Sequence, residues 1–189
     1  MGARCVALLA RRHGAAFKRH GRVDRATIRL SGRKLHLIRP RAYMNESGPP
    51  VAAEARRRGL DRAQLLLVYD DLDLQTGRVR LRPGGGYGGN RGVKSVLDAL
   101  GGTDVPRVRV GIDRPYDDGG PVRDPDRVAS WVLAQPTPAE RRALDAGVEL
   151  AAHAVEYAVA HGLEAAMRHF NRGDAPGGRG AGENAPPGG

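Results

Sequence analysis

The sequence predicts a single α/β domain, and three observations carry that prediction. Its 189 residues contain no internal repeat, and a chain of this length builds one hydrophobic core without disulfide or metal support. Runs with the two-residue period of strands alternate along the chain with runs of helical period. The apolar run Leu65–Val68 has the pattern of a strand covered on both faces, as in a sheet flanked by helices.

The elements follow in order. From Met1 to His13 the apolar positions Cys5, Val6, Leu9 and Ala10 oppose Arg4, Arg11 and Arg12, which predicts a helix closed by Gly14. Thr27–Leu30 and Lys34–Ile38 flank Ser31, Gly32 and Arg33, a hairpin with a three-residue turn. Pro40 ends the second strand, and the segment RPRAYMNESGPPV places Tyr43, Met44 and Asn45 on a loop before a helix that Pro49 and Pro50 open and that runs to Arg58. Loops in that position carry chemistry more often than strands do.

After the Leu65–Val68 strand come Asp70, Asp71 and Asp73, so a buried strand delivers acids to an edge. Arg78, Arg80 and Arg82 alternate with Val79 and Leu81, and the period of two puts the guanidinium groups on one face, suited to phosphate. Gly84, Gly85, Gly86, Gly88, Gly89 and Gly92 make a loop whose backbone can approach a ligand closely. That loop feeds a helix from Val93 to Leu100, and Val108, Val110 and Ile112 alternate with Arg107, Arg109 and Gly111 in a further strand.

Asp113–Asp126 is rich in proline and glycine and is expected to be a mobile connection. Val128–Leu133 is a short apolar piece in which Trp131 is expected to be packed. From Pro138 to Phe170 the spacing of Leu144, Val148, Ala151, Val155, Ala158 and Val159 is helical, with a break at Gly162, and the two helices are expected to cover the sheet. Residues 173–189 are mostly Gly, Ala and Pro and are expected to be a disordered tail beyond a domain spanning 1–172.

Composition narrows the partners. The formal charge of +10 is carried almost wholly by arginine, with lysine only at positions 18, 34 and 94, and nucleic acid is the natural partner class. A single arginine outside the central stretch is expected on a solvated face. The one cysteine, Cys5, excludes an internal disulfide and a cysteine-based zinc site, fits a reducing cytoplasm and is expected as a small core residue. The six histidines show no metal-ligand spacing, and no apolar run has transmembrane length.

The glycine loop satisfies G-x-G-x-x-G at Gly84, Gly86 and Gly89 with a helix behind it. A dinucleotide site would have a fully apolar strand before that loop, whereas LRLRP is half basic and ends in proline, as at a sheet edge. A nucleotide-binding oxidoreductase therefore ranks low.

Three segments together resemble the bacterial peptidyl-tRNA hydrolase family: RPRAYMNESGPPV, then LLLVYDDLDLQTGRVRLRPGGGYGGNRGVKSV, then RVRVGIDRP, with SWVLAQP and AAMRHFN as weaker echoes. The resemblance implies a monomeric α/β fold with a mixed, mostly parallel twisted sheet. It also implies hydrolysis of the ester joining a peptide to the 3′ ribose of tRNA, with peptidyl-tRNA as partner and no metal or organic cofactor. By position, Asp70 matches the aspartate that orients the catalytic histidine, and Asn45 the asparagine that hydrogen-bonds substrate or water. Tyr43 and Met44 match the pocket for the terminal adenosine and the peptide. Arg80 and Arg82 match phosphate-binding positions, and Asn90, Arg91 and Lys94 stand at a helix start that suits an anion.

Two departures qualify the resemblance. Asn90 and Arg91 stand where much of the family has histidine then asparagine, so a guanidinium replaces the side-chain amide at position 91, a shift of its role to Asn90 being the alternative. The family's first strand, with G-x-x-N-P-G and then T-R-H-N, has no counterpart here, and Gly2 aligns just after it. The expectation is thus a hydrolase domain lacking its first central strand and general-base histidine, from a wrong start or a fragment. The competing expectation is a catalytically inactive RNA-binding relative.

Overall fold

The computed structural model describes residues 1–172; the tail expected at 173–189 lies outside them. Helix α1 (Gly2–Arg12) leads into strands β1 (Lys18–His20), β2 (Val23–Leu30) and β3 (Arg33–Pro40), an antiparallel sheet in the order β1-β2-β3. A 3₁₀ turn at Met44–Glu46 precedes α2 (Gly48–Arg57), and β4 (Leu67–Asp71), β5 (Val79–Arg82), α3 (Arg91–Leu100) and β6 (Arg107–Gly111) follow. These strands form a second sheet in the order β4-β6-β5, with β4 parallel and β5 antiparallel to β6. The short hairpin β7 (Tyr116–Asp117) and β8 (Gly120–Pro121) and helices α4 (Pro125–Leu133), α5 (Pro138–His161) and α6 (Leu163–Phe170) complete the described chain.

The α/β class is as expected, and its detail differs. Parallel pairing is confined to β4 and β6, because the other strands are joined as hairpins or return along β6. The two three-stranded sheets are not hydrogen-bonded to each other; α1 lies against both β3 and β4. Its approach to β4 is so close that a Cβ at Gly2 would lie 2.0 Å from the Val68 carbonyl oxygen. As the outer strand of its sheet, β4 is half-buried along its length rather than covered on both faces.

Cys5, Leu9, Ile28, Leu37, Leu81, Val108, Val110, Ala151 and Val155 form the main core between the two sheets and α5. Burial pushes the Cys5 thiol up to about 12, as suits a packed rather than reactive cysteine. The β2–β3 turn has two residues, not three: Leu30 pairs with Arg33, and Ser31 and Gly32 take φ of 48° and 75°, the signs a primed hairpin turn requires. The break between α5 and α6 falls at Gly162 as expected. Trp131 is not packed. It is 36% exposed on α4, a helix with no buried residue, and its indole donates to the Asp113 carbonyl at 3.1 Å.

Asn171 closes the exposed edge of β5: its side-chain amide donates to the Leu81 carbonyl and accepts from the Leu81 N–H, both at 2.9 Å. A neighbouring strand would make the same pair of bonds. Asn171→Ala leaves both backbone groups without a partner and is expected to lower unfolding free energy by about 1–3 kcal/mol, read by urea denaturation.

Candidate functional site

Strand β4 ends in three closely spaced carboxylates, and arginines from later in the chain separate their roles. Asp71 accepts from Arg109 Nε at 2.6 Å and Asp73 pairs with Arg114 at 2.7 Å. Burial works against the Arg109 charge, but the Asp71 hydrogen bond and charge prevail and raise its pKa. Asp70 is met by neither arginine. Its Oδ1 lies 3.2 Å from the Met1 amino group at the start of α1, and its side chain is 24% exposed. Among the described residues, Asp70 is thus the one acid of the three that no arginine engages.

Asn90 joins Asp70 to the next element. Its Oδ1 accepts from the N–H groups of Gly92 and Val93, both at 3.0 Å, which caps α3, and its Nδ2 donates to the Asp70 carbonyl at 3.3 Å. The amide is therefore engaged within the fold. Arg91, the first residue of α3, is exposed.

Two close approaches hold Asn45 near the same helix start. The Gly48 N–H donates to Ser95 Oγ at 2.9 Å, and a Cβ at Gly48 would lie 1.9 Å from the Ser95 carbonyl oxygen. A Cβ at Gly92 would lie 2.8 Å from Met44 Cγ. With no side chain at either position, the 3₁₀ turn carrying Met44 and Asn45 seats on the beginning of α3. Tyr43 and Met44 are 81% and 51% exposed, an apolar pair held out to solvent beside Asn45.

The arginine ribbon gains a second row. Arg80 and Arg82 on β5 stand directly opposite Arg109 and Arg107 on β6, while Val79, Leu81, Val108 and Val110 fill the other face. Arg82 is exposed and Arg80 half-buried. Lys94 is exposed but pairs with Asp98 at 2.7 Å, which raises its pKa, and it lies 6.0 Å from the Tyr87 ring centre.

Arg107 departs from the solvated setting expected of arginines outside the central stretch. It is 1% exposed and meets no carboxylate. Instead it donates to the carbonyls of Gly85, Gly86, Thr103 and Val105, with Gly86 at 2.5 Å. Its guanidinium is the post against which the glycine loop rests. Sequence reasoning missed this residue, along with Ser95 and Gly48, since each acts through a partner more than twenty residues away or on another helix.

The histidines lie elsewhere. His13 is 3.1 Å from Glu156 and His36 is 3.1 Å from Thr27, while His153, His161 and His169 surround Tyr157 and Phe170. His20 ends the outer strand β1.

A sequence model of the peptidyl-tRNA hydrolase family matches residues 1–177. The peptidyl-tRNA hydrolase of Mycobacterium tuberculosis (strain H37Rv) is 46% identical over 166 residues, covering 87% of this chain and 83% of that protein. That of Frankia casuarinae is 44% identical over 168 residues, covering 88% and 81%. Among solved structures, the peptidyl-tRNA hydrolase of Acinetobacter baumannii superposes with a TM-score of 0.80 at 26% identity, over 89% of this chain and 83% of that one.

Proposed function

The chain belongs to the peptidyl-tRNA hydrolase family, and on that premise we propose that it binds peptidyl-tRNA and serves hydrolysis of the ester between peptide and tRNA. The observation that supports this best is the chain of contacts from Asp70 through Asn90 to the start of α3, on which the Asn45 turn is seated.

In this reading Asn45 offers its amide to the ester or to the attacking water. Tyr43 and Met44 present apolar surface to the terminal adenosine and the peptide. Arg80, Arg82, Arg91 and Lys94 hold backbone phosphates, and Asn90 acts by shaping the helix start. Asp70 orients a general base and steadies its positive charge as it takes the proton. Residues 1–172 constitute the hydrolase domain, acting as a monomer in the cytoplasm without metal or organic cofactor. No helix among the described residues is long and apolar enough to cross a membrane.

A second reading is favoured by one specific observation. The histidines of the described residues are engaged away from Asp70, His13 with Glu156, His36 with Thr27, and His153, His161 and His169 around Tyr157 and Phe170, so RNA binding without efficient turnover is the alternative. Binding and peptide release, measured on one preparation of peptidyl-tRNA, test both. Binding is expected, with an affinity that falls steeply with salt because phosphate contacts release counterions. Failure to bind at low salt would remove both readings.

A further inference from the structure

We propose that the outer face of the antiparallel sheet, together with the C-terminal end of α2, is a second phosphate-binding surface that takes the backbone of the tRNA body. The inference rests on the functional reading above and concerns a different part of the molecule. In β2 the alternate positions Ala26 and Ile28 point into the core, which leaves Arg25, Thr27 and Arg29 on the opposite face. The strand register then sets Lys18 directly opposite Arg25, His36 opposite Thr27, and Lys34 opposite Arg29.

Two like-charged pairs thus stand across neighbouring strands, an arrangement that destabilises a sheet. The end of α2 adds Arg57 and Arg58 beside Arg25, and the only carboxylate among them is Glu54, at 3.5, 2.9 and 3.0 Å from Arg25, Arg57 and Arg58. Six cations therefore share one anion. Among the described residues Lys18, Arg29 and Lys34 have no carboxylate partner. Between the sheet and the helix end runs an open groove of about 380 Å³, lined by Lys18, His20, Arg25, Thr27, Arg57 and Arg58. The field there is felt by His36, whose pKa is lowered by burial and by Arg58, Lys34 and Arg57.

The shape suits a chain of phosphates better than a single small anion. From the Lys18–Arg25 pair to the Arg29–Lys34 pair the face extends about 13 Å along the strands, with positive charge at both ends. Its register positions carry no Phe, Tyr or Trp to stack on a base, so contact is to the backbone and independent of sequence. Helix α2 connects it to the candidate site: Asn45 lies just before the helix and Arg57 at its end, a length of about 15 Å. A tRNA whose 3′ end lies at Asn45 has its further backbone within reach of this face.

The test is the triple variant Lys18→Gln, Arg29→Gln, Lys34→Gln, which leaves the half-buried Arg25 and Arg58 in place. Full-length tRNA and a short oligonucleotide ending in CCA are titrated over a range of salt. The variant is expected to bind full-length tRNA about 10-fold or more weakly, with a salt slope reduced by about two to three, and to bind the CCA oligonucleotide as the parent chain does. Its thermal midpoint is expected to hold or rise as like charges are removed, which separates lost contact from lost folding. An unchanged salt slope for full-length tRNA overturns the proposal. So does an unchanged slope with lost binding to phosphatidylserine vesicles, which assigns the face to a membrane. Failure of the parent chain to bind the CCA oligonucleotide strikes instead at the functional reading, whereas a parent chain that binds the oligonucleotide but gains nothing from the tRNA body sinks this inference alone.

Discussion

Arg107→Met is expected to lower the unfolding free energy by about 3–5 kcal/mol and to release the glycine loop from the sheet. The side chain is 1% exposed and its charge is met only by the carbonyl dipoles of Gly85, Gly86, Thr103 and Val105. Methionine has similar length and fills the space, so the loss is one of hydrogen bonds rather than volume. Gly85 and Gly86 are exposed and can turn to water, but Val105 is fully buried, and its carbonyl loses a charged donor. Arg107→Lys restores the charge without the planar fork and is expected to recover only part of the stability. Urea denaturation reads the first effect. Amide exchange at Gly85, whose N–H donates to the Thr103 carbonyl at 2.9 Å, reads the second and is expected to quicken in Arg107→Met well before global unfolding. Equal unfolding free energies for Arg107→Met and the parent chain would show that the loop holds itself.

Arg107 also marks where the sequence stops being informative. Alternation at residues 107–111 predicts the strand correctly, yet arginine at an alternate position reads the same whether it faces solvent or a buried loop. The deciding partners are the carbonyls of Gly85 and Gly86, which sit twenty-two and twenty-one residues earlier. The three acids after β4 pose the same difficulty. Asp70, Asp71 and Asp73 look alike in the sequence, and only the positions of Arg109 and Arg114 distinguish them.

Helices fare better because their signals are local. The α5–α6 break is visible in Gly162, which takes φ of 88°, and the start of α5 is written in the Thr137–Glu140 capping box. The close seating of the Asn45 turn on α3 was hidden for the opposite reason: Gly48 and Gly92 act by what they lack, and the neighbours they admit belong to other elements. The charge on the outer sheet face needed the register, since Lys18, Arg25, Arg29 and Lys34 are unremarkable until paired across strands.

The largest effect is expected in turnover. The protein is expected to bind peptidyl-tRNA but to release its peptide about 10²–10⁴ times more slowly than a family member with an imidazole positioned at this carboxylate, the contribution of a positioned general base. Asp70 lies at the start of α1, and the histidines of the described residues are engaged elsewhere, His13 with Glu156, His36 with Thr27, and His153, His161 and His169 around Tyr157 and Phe170. A second variant makes the result diagnostic. Where an imidazole is present, removing the carboxylate that orients it costs much of the base's contribution; where none is present, Asp70→Asn has little left to remove. In this chain Asp70→Asn is therefore expected to change single-turnover release by no more than about threefold. Fast release by the parent chain, with a large loss in Asp70→Asn, would mean that Asp70 already serves a working base here.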